Sequence, residues 1–443
     1  MSVQLPLSER WSDIVSYYDD ILLSSRPIQQ SAINAVKSEF RSLRGLRLRG
    51  QERTVELMKK STNSGNPYFT KRRNVLQDLI PCSTCSAGNG MFIELPDDVW
   101  DATAVLGWRG QEGGPSIEDV KQRVVWMFPF SVNLNELQVY QPLIEGAQAH
   151  DLVPAWVSME SVDRRVTKLF DTKASDDLVV CTDFSRFDQH FNEDMQYTAK
   201  TILEYILTDD RPSRQWIKDV FPFKYRIPLT VETVGENTHI LTGKHGMASG
   251  SGGTNVDETL AHRALQYEAA ILKGKELNPN SQCLGDDGLL TYPGITVEDV
   301  VEAYQSHGQE CNQDKQYASS QDCVYLRRWH HTDYRKSEVC VGVYSTCRAL
   351  GRLRYLERYM DPEFWSSEAV ALRQLSIIEN CKWHPLFEQF VEFCMKRDKY
   401  RLGIDIPGFL ENISDYAQKS IDYMPDFLGY TKTLQGEGPR GPN

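Results

Sequence analysis

The chain has 443 residues and a mass of 50.7 kDa, which suits one large enzyme or a few subdomains. Its ordinary hydrophobic (40%) and charged (25%) contents exclude disordered, collagenous and low-complexity proteins, and no apolar stretch approaches the roughly 20 residues of a membrane-spanning helix, so no membrane partner is expected. A formal net charge of −12 argues against a uniformly basic surface but not against a nucleic-acid enzyme whose cations line a channel.

A basic segment lies near the start of the sequence. Between Lys37 and Arg73, eleven lysines and arginines stand against three glutamates, so the segment carries a charge of +8 on an acidic chain. Such a concentration of cations favours a phosphate-facing surface. The alternative is a solvated helix face, which charge runs often form.

The next segments are predicted to be loop and strand. Cys82 and Cys85 form a CxxC pair without a second pair at zinc-site spacing, so they are interpreted as ordinary cysteines. The glycine-rich stretch 107–115 predicts a loop. The β-branched and aromatic residues of 121–126 favour a strand, on which Lys121 and Arg123 would face the same side, as a phosphate clamp requires.

A short apolar run, Leu178–Thr182, predicts a strand that ends directly before the acidic motif Asp183-Phe-Ser-Arg-Phe-Asp188. Further along, the small residues Ser249–Thr254 precede Asn255–Lys273, which has few helix breakers and many helix formers. We therefore predict a helix that follows a glycine-rich loop, and such a loop lets backbone or template come close.

The third predicted feature is a hairpin over Cys283–Tyr292, in which two apolar arms flank the turn Gly285-Asp-Asp-Gly288. Ile295–Gln305 predicts a helix that packs on this hairpin. After Leu350 the pattern is mostly helical, and the core candidates there are Trp365, Trp383, Phe387, Phe390 and Phe393. The mixed order of short strands and helices indicates an α+β fold.

The acidic motifs point to metal-assisted nucleotidyl transfer. In such reactions two Mg²⁺ ions about 3.5–4 Å apart clamp the attacking and leaving oxygens. Mg²⁺ takes few protein carboxylates beside the substrate phosphates. A carboxylate at a strand end and another in a neighbouring hairpin turn meet this need. Asp183 and Asp286 are therefore the predicted metal ligands, with Asp287 as a weaker third.

In this order the motifs resemble the palm of viral RNA-dependent RNA polymerases, and their wording is most similar to that of picobirnaviruses, a group of double-stranded RNA viruses. Residues 183–188 resemble motif A, residues 249–254 motif B and residues 285–287 motif C. The resemblance covers roughly residues 121–330. It implies a right-hand polymerase with fingers, a palm whose antiparallel sheet is flanked by helices, and a helical thumb.

The resemblance also implies roles for cations outside the acidic motifs. Lys121 and Arg123 resemble motif F, whose cations bind the incoming triphosphate, although an exposed strand with two ordinary charges would look the same. Lys315 stands where motif D supplies a general acid, or it is a surface lysine. Arg327 and Arg328 belong to a stretch that resembles motif E, which supports the priming strand. That stretch could also be a strand that joins palm to thumb.

Asp188 would read the ribose 2′-OH, a group that only ribonucleotides carry. The motif B pattern places an asparagine that supports this aspartate, but here the corresponding residue is Glu258, so Asn255 or Asp257 could take that role instead. The other residues that the resemblance assigns to nucleotide binding are Ser249, Gly250, Thr254 and Asn255.

The implied function is that of an RNA-directed RNA polymerase that replicates and transcribes a viral RNA genome. Its cofactor would be Mg²⁺, with Mn²⁺ as a substitute, and its partners the RNA template and product, NTPs and a viral capsid protein. The expected location is the virion interior or the host cytoplasm. The expected domains are fingers (1–160), palm (161–189), a fingers insertion (190–245), palm (246–345), and a thumb with a flexible C-terminal tail (346–443).

Two alternatives remain at the level of sequence. A reverse transcriptase shares the palm but usually places an aromatic residue near the sugar and before the paired aspartates, where this chain has Asp188 and Gly285. A non-catalytic, capsid-associated RNA-binding protein is the other, and intact Asp183, Asp286 and Asp287 argue against it. Use of dNTPs over NTPs would favour the first, and RNA binding without turnover the second.

Overall fold

The computed structural model describes residues 5–88, 90–111, 121–231, 238–355 and 362–420. Residues 112–115 of the predicted loop and the predicted flexible tail lie outside this part of the chain, as does the side chain of Lys121. Within the described residues no helix combines the length and the apolar character needed to cross a membrane.

The helices are α1 (Leu7–Asp19), α2 (Gln30–Glu39), α3 (Gln51–Leu57), α4 (Phe130–Ala149), α5 (Pro154–Val157), α6 (Met159–Thr172), α7 (Glu193–Ile206), α8 (Arg211–Asp219), α9 (Phe223–Arg226), α10 (Thr254–Leu272), α11 (Val297–Gln305), α12 (Thr346–Arg354), α13 (Ser367–Glu379), α14 (Phe387–Arg397) and α15 (Ile413–Ser420). The strands are β1 (Ser83–Ala87), β2 (Gly90–Leu95), β3 (Asp98–Asp101), β4 (Ala104–Gln111), β5 (Lys121–Met127), β6 (Val179–Thr182), β7 (Leu229–Val231), β8 (His239–Leu241), β9 (Gln282–Leu284), β10 (Asp287–Leu290), β11 (Tyr317–Ser319), β12 (Asp322–Tyr325), β13 (Arg328–His331), β14 (Arg335–Lys336), β15 (Val339–Cys340) and β16 (Val343–Tyr344).

A central antiparallel sheet carries the two acidic motifs. Its strand order is β11-β6-β10-β9, so the strand before the first motif pairs with the hairpin that holds the second. The predicted strand, hairpin and following helix are thus found as β6, β9–β10 and α11, within two residues at each end. The sheet contributes Val179, Val180, Leu289 and Leu290 to the main hydrophobic core.

Helix α10 packs against this sheet and is buried over most of its length. Its sequence is not amphipathic in the usual way, because the buried set includes the charged residues Asp257, Glu258, Arg263 and Glu268 as well as apolar ones. Buried charges require partners. The partners of α10 therefore tie distant parts of the chain to the helix.

A second sheet, in the order β5-β4-β7-β8, joins residues 104–127 to residues 229–241. The loop prediction over 107–115 is wrong for 107–111, because these residues belong to β4 and pair with β5. The glycines do not prevent the strand, since Leu106 and Trp108 pack against the core around Trp126. Packing outweighs the low strand propensity of glycine here.

The C-terminal region is helical, as predicted, from α12 to α15. Phe390 is buried in its core, and Trp365 and Phe387 pack partly against that core. The core prediction is wrong for Phe393, which is 42% exposed and has the Arg397 guanidinium over its ring, 4.2 Å from the centroid.

Candidate active site

The central sheet brings Asp183 and Asp286 to one edge. β6 ends at Thr182, and Thr182 lies opposite Gly288 on β10. Leu284 pairs with Asp287, so Gly285 and Asp286 form the two-residue turn between β9 and β10. Gly285 has φ +58°, which a glycine adopts at little cost. Both carboxylates are solvent-exposed at this edge, where the sequence placed them.

Asp183 is fixed through its backbone by a residue that the sequence did not reveal. Gln316 accepts a hydrogen bond from the Asp183 N–H (2.8 Å) and donates one to the Asp183 carbonyl oxygen (2.9 Å). Lys315 precedes Gln316 on an exposed turn that leads into β11. The predicted proton donor is therefore connected to the first aspartate by the next residue in the chain.

The acidic groups crowd one another. Solvent reaches part of Asp286, but the protein packed around its carboxyl group removes water from it, and this desolvation raises its pKa. The negative charges of Asp188 and Asp183 raise the pKa further, and the positive charge of Arg123 lowers it. Burial is also the main cause that raises the pKa of Asp287 to about 7. A bound cation would relieve this repulsion, so the donor set fits a hard metal ion.

The described residues contain no cluster of three or more acidic, histidine or cysteine side chains that could hold a metal. Mg²⁺ that also binds substrate phosphates takes few protein carboxylates, so a pair such as Asp183 and Asp286 would suffice. Asp287 is already engaged, because its Oδ2 accepts a hydrogen bond from the Leu326 N–H at 2.8 Å.

The candidate catalytic turn, formed by Gly285 and Asp286, rests on α10. The Thr259 hydroxyl oxygen accepts a hydrogen bond from the Gly285 N–H (2.9 Å), and His262 Nδ1 lies 2.8 Å from the Gly285 carbonyl oxygen. Burial lowers the pKa of His262 to about 4, so its ring is neutral and Nδ1–H donates to that carbonyl. A Cβ at Gly288 would lie 2.6 Å from His262 Cε1. Helix and turn are therefore packed without spare room.

We expect acid to destabilise the protein partly through His262. Its folded pKa (about 4) lies below the ordinary value of 6.5, so between these values only the unfolded chain is protonated at this site, and stability falls as the pH falls. From pH 7 to pH 5 the expected loss is about 2 kcal/mol. Urea unfolding of wild type and His262→Gln at both pH values measures it. Equal pH dependence in the two proteins would contradict the prediction.

The partner of Asp188 is Glu258. The two side chains are hydrogen-bonded, and Glu258 lies on α10 with 5% of its surface exposed. Burial and the negative charge of Asp188 raise the pKa of Glu258 well above its usual range. Glu258 is thus the protonated member and donates to the Asp188 carboxylate. Burial raises the pKa of Asp188 as well, while the hydrogen bond with Glu258 and the charge of Arg123 oppose that rise.

The two other candidates for this role are occupied elsewhere. The Asn255 side-chain oxygen accepts a hydrogen bond from the Trp156 indole at 2.7 Å. Asp257 accepts hydrogen bonds from the hydroxyls of Tyr140 (2.8 Å) and Tyr225 (2.7 Å) and forms an ion pair with Lys224 at 3.0 Å. Asp257 is therefore held by three other groups, and the Asn255 side-chain oxygen is held by the indole.

The glycine-rich loop before α10 lies against strand β5. Ser249 donates a hydrogen bond to the Val124 carbonyl oxygen (3.3 Å), and the Thr254 hydroxyl donates to the Ala248 carbonyl oxygen (3.3 Å). A Cβ at Gly250 would lie 1.5 Å from the Trp126 carbonyl oxygen, so no other residue fits there. This glycine is required by the approach of β5 to the loop.

Two residues of α4 hold the same loop from the other side. Asn133 donates a hydrogen bond to the Gly250 carbonyl oxygen (3.1 Å), and Glu136 accepts hydrogen bonds from the Gly252 N–H (3.1 Å) and the Ser251 hydroxyl. Glu136 is fully buried. Sequence reasoning missed both residues, since a glutamate inside a helix gives no sign of which loop it faces.

The cations of the second sheet face the acidic edge. Arg123 on β5 is exposed, and its charge acts on both Asp188 and Asp286. Arg109 on β4 lies directly opposite Arg123 and is also exposed. Paired residues of an antiparallel ladder point to the same face, so Arg109 is a further phosphate-binding candidate that the sequence did not reveal.

The two arginines predicted to contact RNA have different surroundings. Arg327 is exposed in the turn between β12 and β13. Arg328 is only 3% exposed, and its guanidinium binds both oxygens of Asp163 on α6, at 2.8 and 3.1 Å. Arg328 therefore anchors the strand β13 to α6, and Arg327 alone of the pair is presented to solvent.

Part of the basic segment 37–73 also serves the fold. Arg49 forms an ion pair with Glu145, and Arg72 donates a hydrogen bond to the Asn133 side chain at 2.7 Å. Arg44 lies over the Tyr205 ring at 5.3 Å. The excess of positive charge is thus spread between internal contacts and the surface.

The chain is similar to known proteins over most of its length. Residues 13–340 match the family model described as viral RNA-dependent RNA polymerase. The chain is 61% identical over 438 residues to the "Potential RNA-dependent RNA polymerase" of a human picobirnavirus (strain Human/Thailand/Hy005102/-), covering 99% of this chain and 81% of the relative.

Two solved structures are similar over nearly the whole chain. One is the crystal structure of the RNA-dependent RNA polymerase of a human picobirnavirus, with a TM-score of 0.91 and 60% identity, covering 97% of this chain and 80% of that one. The other is an insertion-loop deletion mutant of such a polymerase, with a TM-score of 0.91 and 58% identity, covering 98% and 84%.

Proposed function

Because the chain belongs to the family of viral RNA-dependent RNA polymerases, we propose that this right-hand polymerase replicates and transcribes a viral RNA genome by nucleotidyl transfer at Asp183 and Asp286. The observation that carries the proposal is the position of the two carboxylates at one edge of the central sheet, with the exposed cation Arg123 acting on the same site. This arrangement combines metal ligands with a group that binds phosphate.

Mg²⁺, with Mn²⁺ as a substitute, suits this set of oxygen donors, and Asp183 and Asp286 would hold it. When bound, one such ion would lower the pKa of the primer 3′-OH, and the other would neutralise the triphosphate. The remaining oxygen of Asp287 would serve as a weaker third ligand, because Oδ2 already accepts the Leu326 N–H.

The other residues would position the substrate. Arg123 and Lys121 would receive the triphosphate, since a guanidinium and an ammonium group pair well with phosphate oxygens. Asp188 and Ser249 would test the ribose, and the adjoining Gly250, Thr254 and Asn255 would shape the nucleotide site through the loop. Lys315, exposed before β11, would protonate the departing pyrophosphate.

Glu258 should affect the choice between ribose and deoxyribose. Glu258→Gln keeps a neutral donor to Asp188, so the ratio of kcat/KM for NTP over dNTP should stay within about threefold of wild type. Glu258→Ala leaves Asp188 without this donor and should lower the ratio about tenfold, the effect expected when a hydrogen bond to a charged group is lost. Single-nucleotide incorporation measures the ratio. Equal ratios for the two variants would contradict the prediction.

The whole-chain reaction is tested by incorporation of labelled nucleotides on a short RNA template. We expect Mg²⁺-dependent product with NTPs and little product with dNTPs. Preference for dNTPs would favour a reverse transcriptase. RNA binding with no product under any metal condition would favour a non-catalytic, capsid-associated protein.

The polymerase divides, in this proposal, into fingers (1–160 and 190–245), palm (161–189 and 246–345) and thumb (346–443). The pairing of β4 with β7 supports this division, because it joins the two finger segments in one sheet. The partners would be the RNA template and product, NTPs and a viral capsid protein, and the location the virion interior or the host cytoplasm. Template choice would depend on base pairing, with protein contacts mainly to the RNA backbone.

A further inference from the structure

The turn between β12 and β13 has an unfavourable backbone. Tyr325 pairs with Arg328, so Leu326 and Arg327 form a two-residue turn, with φ of 52° and 62°. Turns of this kind usually contain Asn-Gly or similar residues, because side chains with a Cβ disfavour left-handed backbone at both positions. Something outside the turn must therefore stabilise this conformation.

Asp287 supplies that stabilisation. Its Oδ2 accepts the Leu326 N–H at 2.8 Å, and Leu326 packs against the main core. Hydrogen bonds to a carboxylate are stronger than those between neutral groups. The bond joins the first residue of β10, next to the catalytic turn, to the middle of the other turn.

The rest of the hairpin is fastened to the same body. On one strand, the Val324 N–H donates to the sulfur of Cys181 (3.3 Å), which belongs to β6, the strand that ends directly before Asp183. On the other, Arg328 is held by Asp163. Arg327 lies between these anchors with its side chain exposed. Its position relative to Asp183 and Asp286 is therefore fixed through several contacts.

We propose that Asp287 is a positioning residue that holds the Leu326–Arg327 turn against the catalytic turn, so that Arg327 meets the backbone of the priming strand at a fixed distance from the reacting groups. Of the two adjacent aspartates, Asp286 thus serves the metal site, and Asp287 holds the turn that contacts RNA. The inference rests on the proposed polymerase function and on the priming role that the resemblance of this turn to motif E implies.

The test measures the affinity of the intact protein for a short primer–template RNA duplex by fluorescence anisotropy, in EDTA and without NTPs. EDTA removes any contribution of metal coordination to binding. Asp287→Ala should weaken binding about tenfold, although loss of a negative charge by itself would strengthen it. Asp287→Asn, whose amide oxygen still accepts the N–H, should stay within about twofold of wild type. Asp333→Ala removes an exposed acid from the segment that follows β13 and should also stay within about twofold.

Leu326→Gly provides a second test, which measures a recovery of RNA affinity rather than a loss. Glycine adopts positive φ without a clamp, so adding it to Asp287→Ala should restore most of the lost affinity. Unchanged or tighter binding by Asp287→Ala, or no recovery with Leu326→Gly, would overturn the inference. Arg327→Ala distinguishes the priming role of the turn from its attachment to Asp287. If Arg327→Ala leaves duplex affinity unchanged, the priming role is refuted. If Arg327→Ala weakens binding but Asp287→Ala does not, only the positioning role of Asp287 is refuted.

Discussion

RNA synthesis by Asp286→Ala, with Mg²⁺ present, should fall at least about a thousandfold below that of wild type, because several kcal/mol of charge stabilisation in the transition state depends on a bound metal. The fold should survive. Asp286 is exposed in a turn, and its raised pKa means that the metal-free protein gains nothing from its charge. Labelled NTP incorporation on a short RNA template measures the activity, and circular dichroism the fold.

Asp183→Ala should lose activity to the same extent, since its carboxylate stands at the end of the paired strand β6. Asp314→Ala is the matched control, because Asp314 is an exposed acid on the turn just before Gln316. It should keep activity within about twofold. Full activity in Asp183→Ala or Asp286→Ala would refute the metal site.

Lys224→Met should lower the free energy of unfolding by about 3–5 kcal/mol, the cost of leaving one member of a buried ion pair without its partner. Lys224 and Asp257 are both fully buried, and their ion pair joins α9 to α10. The aromatic rings around the ammonium group, including Phe221 at 3.8 Å, accept methionine in shape but do not neutralise Asp257. Urea unfolding at neutral pH measures the loss.

Two further variants distinguish charge from packing. Lys224→Met combined with Asp257→Asn removes both charges and should recover a large part of the stability. Lys218→Met changes an exposed lysine in the neighbouring helix α8 and should cost no more than about 0.5 kcal/mol. A cost below about 1 kcal/mol for Lys224→Met would contradict the importance of this pair.

The fold class and the activity predicted from the sequence are confirmed. The informative patterns were local. An apolar run directly before Asp183 and a glycine turn at Gly285 each depend on neighbours in the sequence, and both were found as predicted. Their combination in a fixed order carried the functional conclusion, because each motif alone is short enough to arise by chance.

The contacts around these motifs could not be predicted in the same way. Arg328 is neutralised by Asp163, which lies 165 positions away in the sequence, so nothing near it indicates burial. Glu258 and Asp188 are both acids, so the sequence alone predicts that their negative charges repel. Burial keeps Glu258 protonated, and this allows the two side chains to form a hydrogen bond. The strand 107–111 was missed because its stability comes from pairing with β5.

The pairing of Thr182 with Gly288 also determines when the active site can form. These residues are 106 positions apart in the sequence. Strand β11, which pairs with β6 in the same sheet, comes later still. Contacts between residues so far apart require the chain to lose the entropy of loop closure before they add any stability, and they therefore slow folding. A chain still emerging from the ribosome therefore carries Asp183 as an isolated acid. The sheet that holds the acidic motifs can be completed only after about three quarters of the chain has been made, near the end of β11 at Ser319.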